Sequence, residues 1–167
     1  MILAIDVHYK ETYAKAVGVL FNWQDEHPQS EITAIINEVE EYQSGQFFKR
    51  ELPCILELIK QVDITSIEAV IVDGHVYVDN HKKYGLGAHL WSALHGVVPI
   101  IGVAKKSFIR TNEVCHPVYR GVSKQALYVS VIGDIDMNST AQHIRLMKGE
   151  FRIPKMLKYL DQLTKED

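Results

Sequence analysis

Ile67-Glu68-Ala69-Val70-Ile71-Val72-Asp73-Gly74 is the stretch on which the fold turns. Its apolar run is β-branched and does not alternate with polar residues, so it reads as a strand buried on both faces, and it stops at a polar Asp-Gly break. Working outward to the N-terminus, Met1–Tyr9 is a second apolar run, interrupted by Asp6. Tyr13–Trp23 and Glu31–Val39 are further strand candidates, set apart by Lys10-Glu11 and by the break around Pro28, as an antiparallel meander requires. Between meander and buried run, Phe47, Phe48, Leu52, Ile55, Leu56, Leu58 and Ile59 recur at helical spacing, with Pro53 expected near the start of the regular helix. Working outward to the C-terminus, a helix is expected over about Gly85–His95, a buried strand over Val97–Val103 and another over Ala126–Ile132. Ser139 with Gln142 reads as a capping box for a short helix closed by Gly149, and Pro154 opens a last amphipathic helix. The order predicts one α/β domain over residues 1–167. Its mixed sheet begins as a three-strand antiparallel meander and continues as parallel strands wound through crossover helices.

Composition narrows the class. The 167 residues are 47% hydrophobic and 23% charged with no low-complexity segment, which excludes a disordered or fibrous chain. No apolar run reaches the roughly 18–20 residues of a membrane span, and no basic stretch precedes the first apolar run as in a signal peptide. Cys54 and Cys115 are too few for a disulfide framework, so free thiols and a cytoplasmic protein are the economical reading. The net charge of -3 hides a division. Residues 1–79 carry 5 Lys/Arg against 14 Asp/Glu, and residues 80–125 carry 7 against Glu113 alone. A basic stretch beside an acidic one can hold a polyanion while carboxylates hold a metal, although a solvated basic face gives the same count.

Two of the acids stand where hydrocarbons would be expected. Asp6 lies inside Ile2-Leu3-Ala4-Ile5-Asp6-Val7, where lost hydration has to be offset by a cation or by hydrogen bonds. Asp73 ends the buried run, at the carboxyl edge where open α/β sheets bind ligands. If the two strands are neighbours, the acids meet, and a divalent cation would keep both ionised. Oxygen-only ligation favours Mg²⁺ or Mn²⁺ over zinc. Each acid alone reads more readily as a strand-end hydrogen-bond acceptor or a helix cap, and it is the pair that brings the metal reading level. His75, His81, His89 and His95 cluster, but no pair has the spacing of a His-Glu-x-x-His helix and no cysteine joins them. No Walker loop, Gly-x-Ser-x-Gly elbow or Gly-x-Gly-x-x-Gly fingerprint is present.

The element order is that of the ribonuclease-H-like architecture, and several segments together resemble endonuclease V, the deoxyinosine 3′ endonuclease family. They are Ile5-Asp6-Val7-His8-Tyr9, Phe48-Lys49-Arg50-Glu51-Leu52-Pro53, Val70-Ile71-Val72-Asp73-Gly74-His75, Gly85-Leu86-Gly87-Ala88-His89, Pro99-Ile100-Ile101-Gly102-Val103-Ala104-Lys105-Lys106 and Phe151-Arg152-Ile153-Pro154. They fall in the family's order across nearly the whole chain, and their combination is specific where no single segment would be. The resemblance implies Mg²⁺-dependent hydrolysis of a phosphodiester on the 3′ side of inosine in DNA or RNA, with Mn²⁺ as a substitute. It implies Asp6, Glu51 and Asp73 as metal ligands, Asp161 in the fourth active-site position and Lys105 as the active-site lysine. It places the base pocket at Gly74, Gly85, Leu86 and Gly102.

The chain departs from the family pattern in the loops that meet the lesion. The wedge Pro-Tyr-Ile-Pro-Gly reads Glu41-Tyr42-Gln43-Ser44-Gly45, which keeps Tyr42 and Gly45 and loses both prolines. Val76 replaces a glycine, Asn80 stands at the family's histidine, and the usual extension before the first strand is missing. The expected roles follow from charge. With one Mg²⁺ or two, Asp6 and Asp73 bridge or anchor the metal, Glu51 completes the cage, Asp161 orients the attacking water or ligates a second ion, and Lys105 meets the scissile phosphate or its developing charge. Tyr42 fills the gap left by the base. Two other readings stand beside this one: a relative that binds nucleic acid without cutting, and a small-molecule phosphohydrolase on the same scaffold.

Overall fold

The computed structural model describes residues 1–37, 48–108 and 110–167. Seven strands form one mixed sheet in the order β3-β2-β1-β4-β5-β7-β6. They are β1 (Ile2–Tyr9), β2 (Ala14–Phe21), β3 (Ser30–Ile36), β4 (Ala69–Asp73), β5 (Ile100–Ala104), β6 (His116–Val118) and β7 (Leu127–Ile132). β1, β2 and β3 are the antiparallel meander read from the sequence, and β1–β4 and β4–β5 pair in parallel. β5–β7 and β6–β7 return to antiparallel pairing. The helices are α1 (Phe48–Ile59), α2 (Leu86–Ala93), α3 (Met137–Leu146) and α4 (Lys155–Lys165).

Strand alternation divides the core in two. Leu3, Ile5 and Val7 of β1 and Val70 and Val72 of β4 pack with Cys54, Ile55 and Leu58 of α1 and with Leu86 and Leu90 of α2. Ile2 and Ala4 of β1 and Ala69 and Ile71 of β4 face the other way, onto Ala141 and Ile144 of α3 and Met156 and Leu160 of α4. β4 has four buried residues in a row because it is covered on both sides. The ribonuclease-H-like mixed sheet is therefore as expected.

Several local expectations are corrected. Pro53 sits inside α1, five residues past its first described residue, rather than near the start. α3 is capped by Asp136, whose carboxylate accepts from Ser139 N–H at 2.8 Å, so Ser139 lies three residues inside the cap and the Ser139–Gln142 box is not the start. That helix ends at Leu146, and Gly149, at φ +110°, turns the chain beyond it. The strand expected over Val97–Val103 starts only at Ile100, after Pro99, and Val97 is 54% exposed. β6 was not anticipated: three residues with a central Pro117 carry no strand pattern.

Candidate active site

The register of β1 on β4 pairs Ile5 with Val72, and one step further along both chains stand Asp6 and Asp73. Each continues a row that faces α3 and α4: Ile2, Ala4, Asp6 on β1 and Ala69, Ile71, Asp73 on β4. Lys105 continues the row Ile101, Val103 just past the end of β5. Asp161 comes down from α4, and Glu51 reaches the same edge from the first turn of α1, on the opposite face of the sheet.

The charges register one another. Burial, then Asp73 and then Asp161 push the Asp6 carboxyl up to about 7, against the pull of the Val7 N–H, which donates at 3.0 Å, and of Lys105. Burial, then Asp6 and Asp73 push Glu51 up to about 8, with Arg50 opposing. Asp73, open to solvent at the strand end but packed by protein on its other sides, is raised by burial and by Asp161 and restrained by Lys105. Asp161 also accepts from Lys165 at 2.9 Å. The donor set is carboxylate only and short of positive charge, which suits a hard divalent cation. As the side chains lie, no three acid, His or Cys groups among the described residues already close on a common point.

Two groups missed as site residues hold this edge in shape. The Arg152 guanidinium donates to the Lys105 carbonyl and, at 2.7 and 3.1 Å, to the Ala126 carbonyl, which ties the lysine's backbone to the start of β7. His75, 4% exposed, meets the Lys106 carbonyl through Nε2 at 2.6 Å, and burial lowers its pKa, so the neutral ring donates there. Both residues lie in segments that carry the family resemblance, but bonds to main-chain carbonyls leave no mark on a sequence.

The expected base-pocket residues lie on the α2 side. A Cβ at Gly102 would stand 2.5 Å from the Gly74 carbonyl and 2.7 Å from Ser130 Oγ, and one at Gly85 would stand 2.8 Å from the His75 carbonyl. These glycines let the 74–76 segment pack directly on β5 and on the start of α2, with Leu86 buried beneath. Asn80 is bonded to the 112–113 segment: its amide donates to Asn112 Oδ1 at 3.1 Å and accepts from Glu113 N–H at 3.0 Å. Tyr42 and Gly45 lie outside the described residues. On the other face, a cavity of about 320 Å³ opens between the strand ends and α4, with Asp6, Asp73, Lys105 and Asp161 in its wall.

Residues 1–125 match the family model described as Endonuclease V. The chain is 33% identical over 168 residues to Endonuclease V of Pyrococcus horikoshii, covering 98% of this chain and 72% of that protein. The crystal structure of human ENDOV superposes with a TM-score of 0.77 at 21% identity, covering 98% of this chain and 82% of that one. Endonuclease V of Ciona intestinalis, crystallised with a 24mer DNA containing an inosine followed by a ribo-adenosine, superposes at 0.79 and 16% identity, covering 98% and 84%.

Proposed function

The chain belongs to the endonuclease V family, and on that premise we propose that it is a single-domain, metal-dependent nuclease cutting a phosphodiester on the 3′ side of inosine in DNA or RNA. The observation that supports this reading is the register that brings Asp6 beside Asp73 at one strand edge, in a cavity wall shared with Lys105 and Asp161, with Glu51 close enough to feel both acids. Asp6, Glu51 and Asp73 would hold Mg²⁺, or Mn²⁺ in its place. Bound there, the ion supplies positive charge that makes a water more acidic and offsets charge on the phosphate.

The chain's own groups divide the remaining work. Asp161, on α4, orients the attacking water. Lys105 faces the developing charge on the phosphate, held in register by Arg152. Gly74, Gly85, Leu86 and Gly102 line the approach of the displaced base, Asn80 steadies the loop beside them, and Tyr42 with Gly45 fills the gap in the stack. A reducing compartment such as the cytoplasm suits Cys54 and Cys115, both free.

Nicking of paired DNA and RNA oligonucleotides with and without one inosine, in the presence and absence of Mg²⁺, tests the reading. Cleavage one nucleotide beyond inosine is expected, with metal only. Asp73→Asn should lower the rate at least 10³-fold while binding survives or tightens, because one negative charge facing the phosphates is removed. An Asp73→Asn protein that nicks at the wild-type rate removes Asp73 from the ligand set. Tight binding of inosine strands by the wild-type chain without any cut would replace the enzyme by a binding protein.

A further inference from the structure

We propose that the recess under α4 is a nucleotide subsite, and that it takes the base immediately 3′ of the cleaved bond. The inference deepens the nuclease reading and rests on it. The recess, about 320 Å³, lies at the small end of the roughly 300–1,000 Å³ range of ligand pockets. Its apolar lining is Ile71, Val103 and Leu127 from the sheet and Leu157 and Leu160 from α4, and Asp6, Asp73, Lys105 and Asp161 stand in the wall at its strand-end side. Phe151 stands at its rim 71% exposed, and Lys158 and Arg152 complete the edge. An apolar slot with an aromatic lip and a cationic rim matches a flat base attached to a phosphate.

Direction comes from the sheet. Gly74, Gly85, Leu86 and Gly102 are on the α1–α2 side of β4 and β5, whereas the recess is on the α3–α4 side. Asp6 and Asp73, on the recess's own face, stand at its near wall, where a nucleic-acid strand crossing the sheet edge from the first side arrives. A strand with its altered base on the first side and its scissile phosphate at the carboxylates leaves toward α4. The cut being 3′ of the lesion, the nucleotide that arrives over the recess is the one that begins the released 3′ fragment.

That fragment is the probe. A short, 5′-phosphorylated, 3′-labelled oligonucleotide is titrated with the protein in Mg²⁺ by fluorescence anisotropy, beside an otherwise identical one whose first nucleotide is abasic. The intact fragment should bind about tenfold more tightly, in line with loss of one stacked base. Leu157→Trp fills the recess and should remove that difference by weakening the intact fragment alone. Phe151→Ala, at an exposed position that leaves folding intact, should weaken it about threefold. Equal affinity for the two fragments, or a Leu157→Trp or Phe151→Ala protein that discriminates as wild type does, overturns the proposal. Should Leu157→Trp fail to fold, Phe151→Ala and the fragment pair decide. Because the fragments need no cleavage, a protein that discriminates them yet never nicks inosine strands sinks the nuclease reading by itself. Nicking without discrimination sinks only the subsite.

Discussion

At Asp6 the two-residue period of a strand sets a carboxylate in the row that Ile2 and Ala4 begin, and burial there disfavours its charged form. Its pKa stands at about 7 against an ordinary 3.8, and that of Glu51 at about 8 against 4.5, burial being the first cause of both. With both values raised, the folded chain without metal binds more protons than the unfolded one between about pH 4 and 8. The stability tied to these groups is then fully present below the unfolded values and is lost as pH rises through the folded ones. A divalent cation reverses the sign, since it binds the ionised form. We expect the melting temperature in EDTA to fall between pH 5 and pH 8, and Mg²⁺ to raise it more at pH 8 than at pH 5. Asp6→Asn should flatten both trends, and scanning calorimetry across that range reads them. A metal-free profile that rises with pH would show that these acids are paired by some other cation. Asp6 and Asp73 were legible in the sequence because each breaks an apolar run. Arg152 and His75 were legible only as parts of the resemblance, since their partners are the carbonyls of Lys105, Ala126 and Lys106.

Elements whose residues carry their own periodicity were found, and those held by distant partners were not. The β1–β4 pair could be read from two apolar runs, and α4 from its Pro-Lys-Met-Leu-Lys-Tyr-Leu pattern. β6 could not, because its three residues are ordered by pairing with Leu127–Val129. The turn between α3 and α4 was equally hidden. It is fastened by Arg120, 3% exposed, which donates to the carbonyls of Met147 at 2.5 Å, Gly149 at 3.1 Å and Phe151 at 2.5 Å. These are carbonyls left over at and beyond the end of α3, where a cation is also favoured by the helix dipole. Arg120→Met keeps the apolar stem and abandons the carbonyls. Several charge-assisted bonds at once should be worth about 3 kcal/mol, and the melting temperature should drop by about 6–12 °C. Arg120→Lys should lose nearly as much, because one ammonium cannot span the fork. A change under about 2 °C for Arg120→Met would mean that water replaces the guanidinium without loss. The same fastening sets Phe151 and Arg152 beside the recess, so Arg120→Met should also weaken the 3′ fragment.

The uneven charge of the chain acquires a place in the assembled sheet. The segment 1–79, with its excess of acids, supplies β3, β2, β1 and β4, and the basic segment 80–125 supplies β5 and β6 beyond them. The carboxylates therefore stand at the seam, and the cations lie on the side toward which a polyanion would be drawn. Lys82 and Lys83, exposed on the loop from β4 to α2, belong to that side without touching the carboxylate site. Lys82 has φ +62°, so asparagine, which tolerates the left-handed region, is the substitution that removes its charge without straining the loop. Lys82→Asn with Lys83→Gln should weaken binding of inosine-containing DNA. If both lysines meet phosphates, it should make the slope of log affinity against log salt shallower by roughly 2, at about 0.9 per phosphate contact. The single-turnover rate on saturating substrate should not change, because counterion release acts on association and not on the bound complex. Binding titrations at several salt concentrations, paired with one saturating time course, separate the two quantities. An unchanged slope would show that this stretch is a solvated face, and that the strand is drawn in by Lys105, Lys158 and Arg152 at the seam alone.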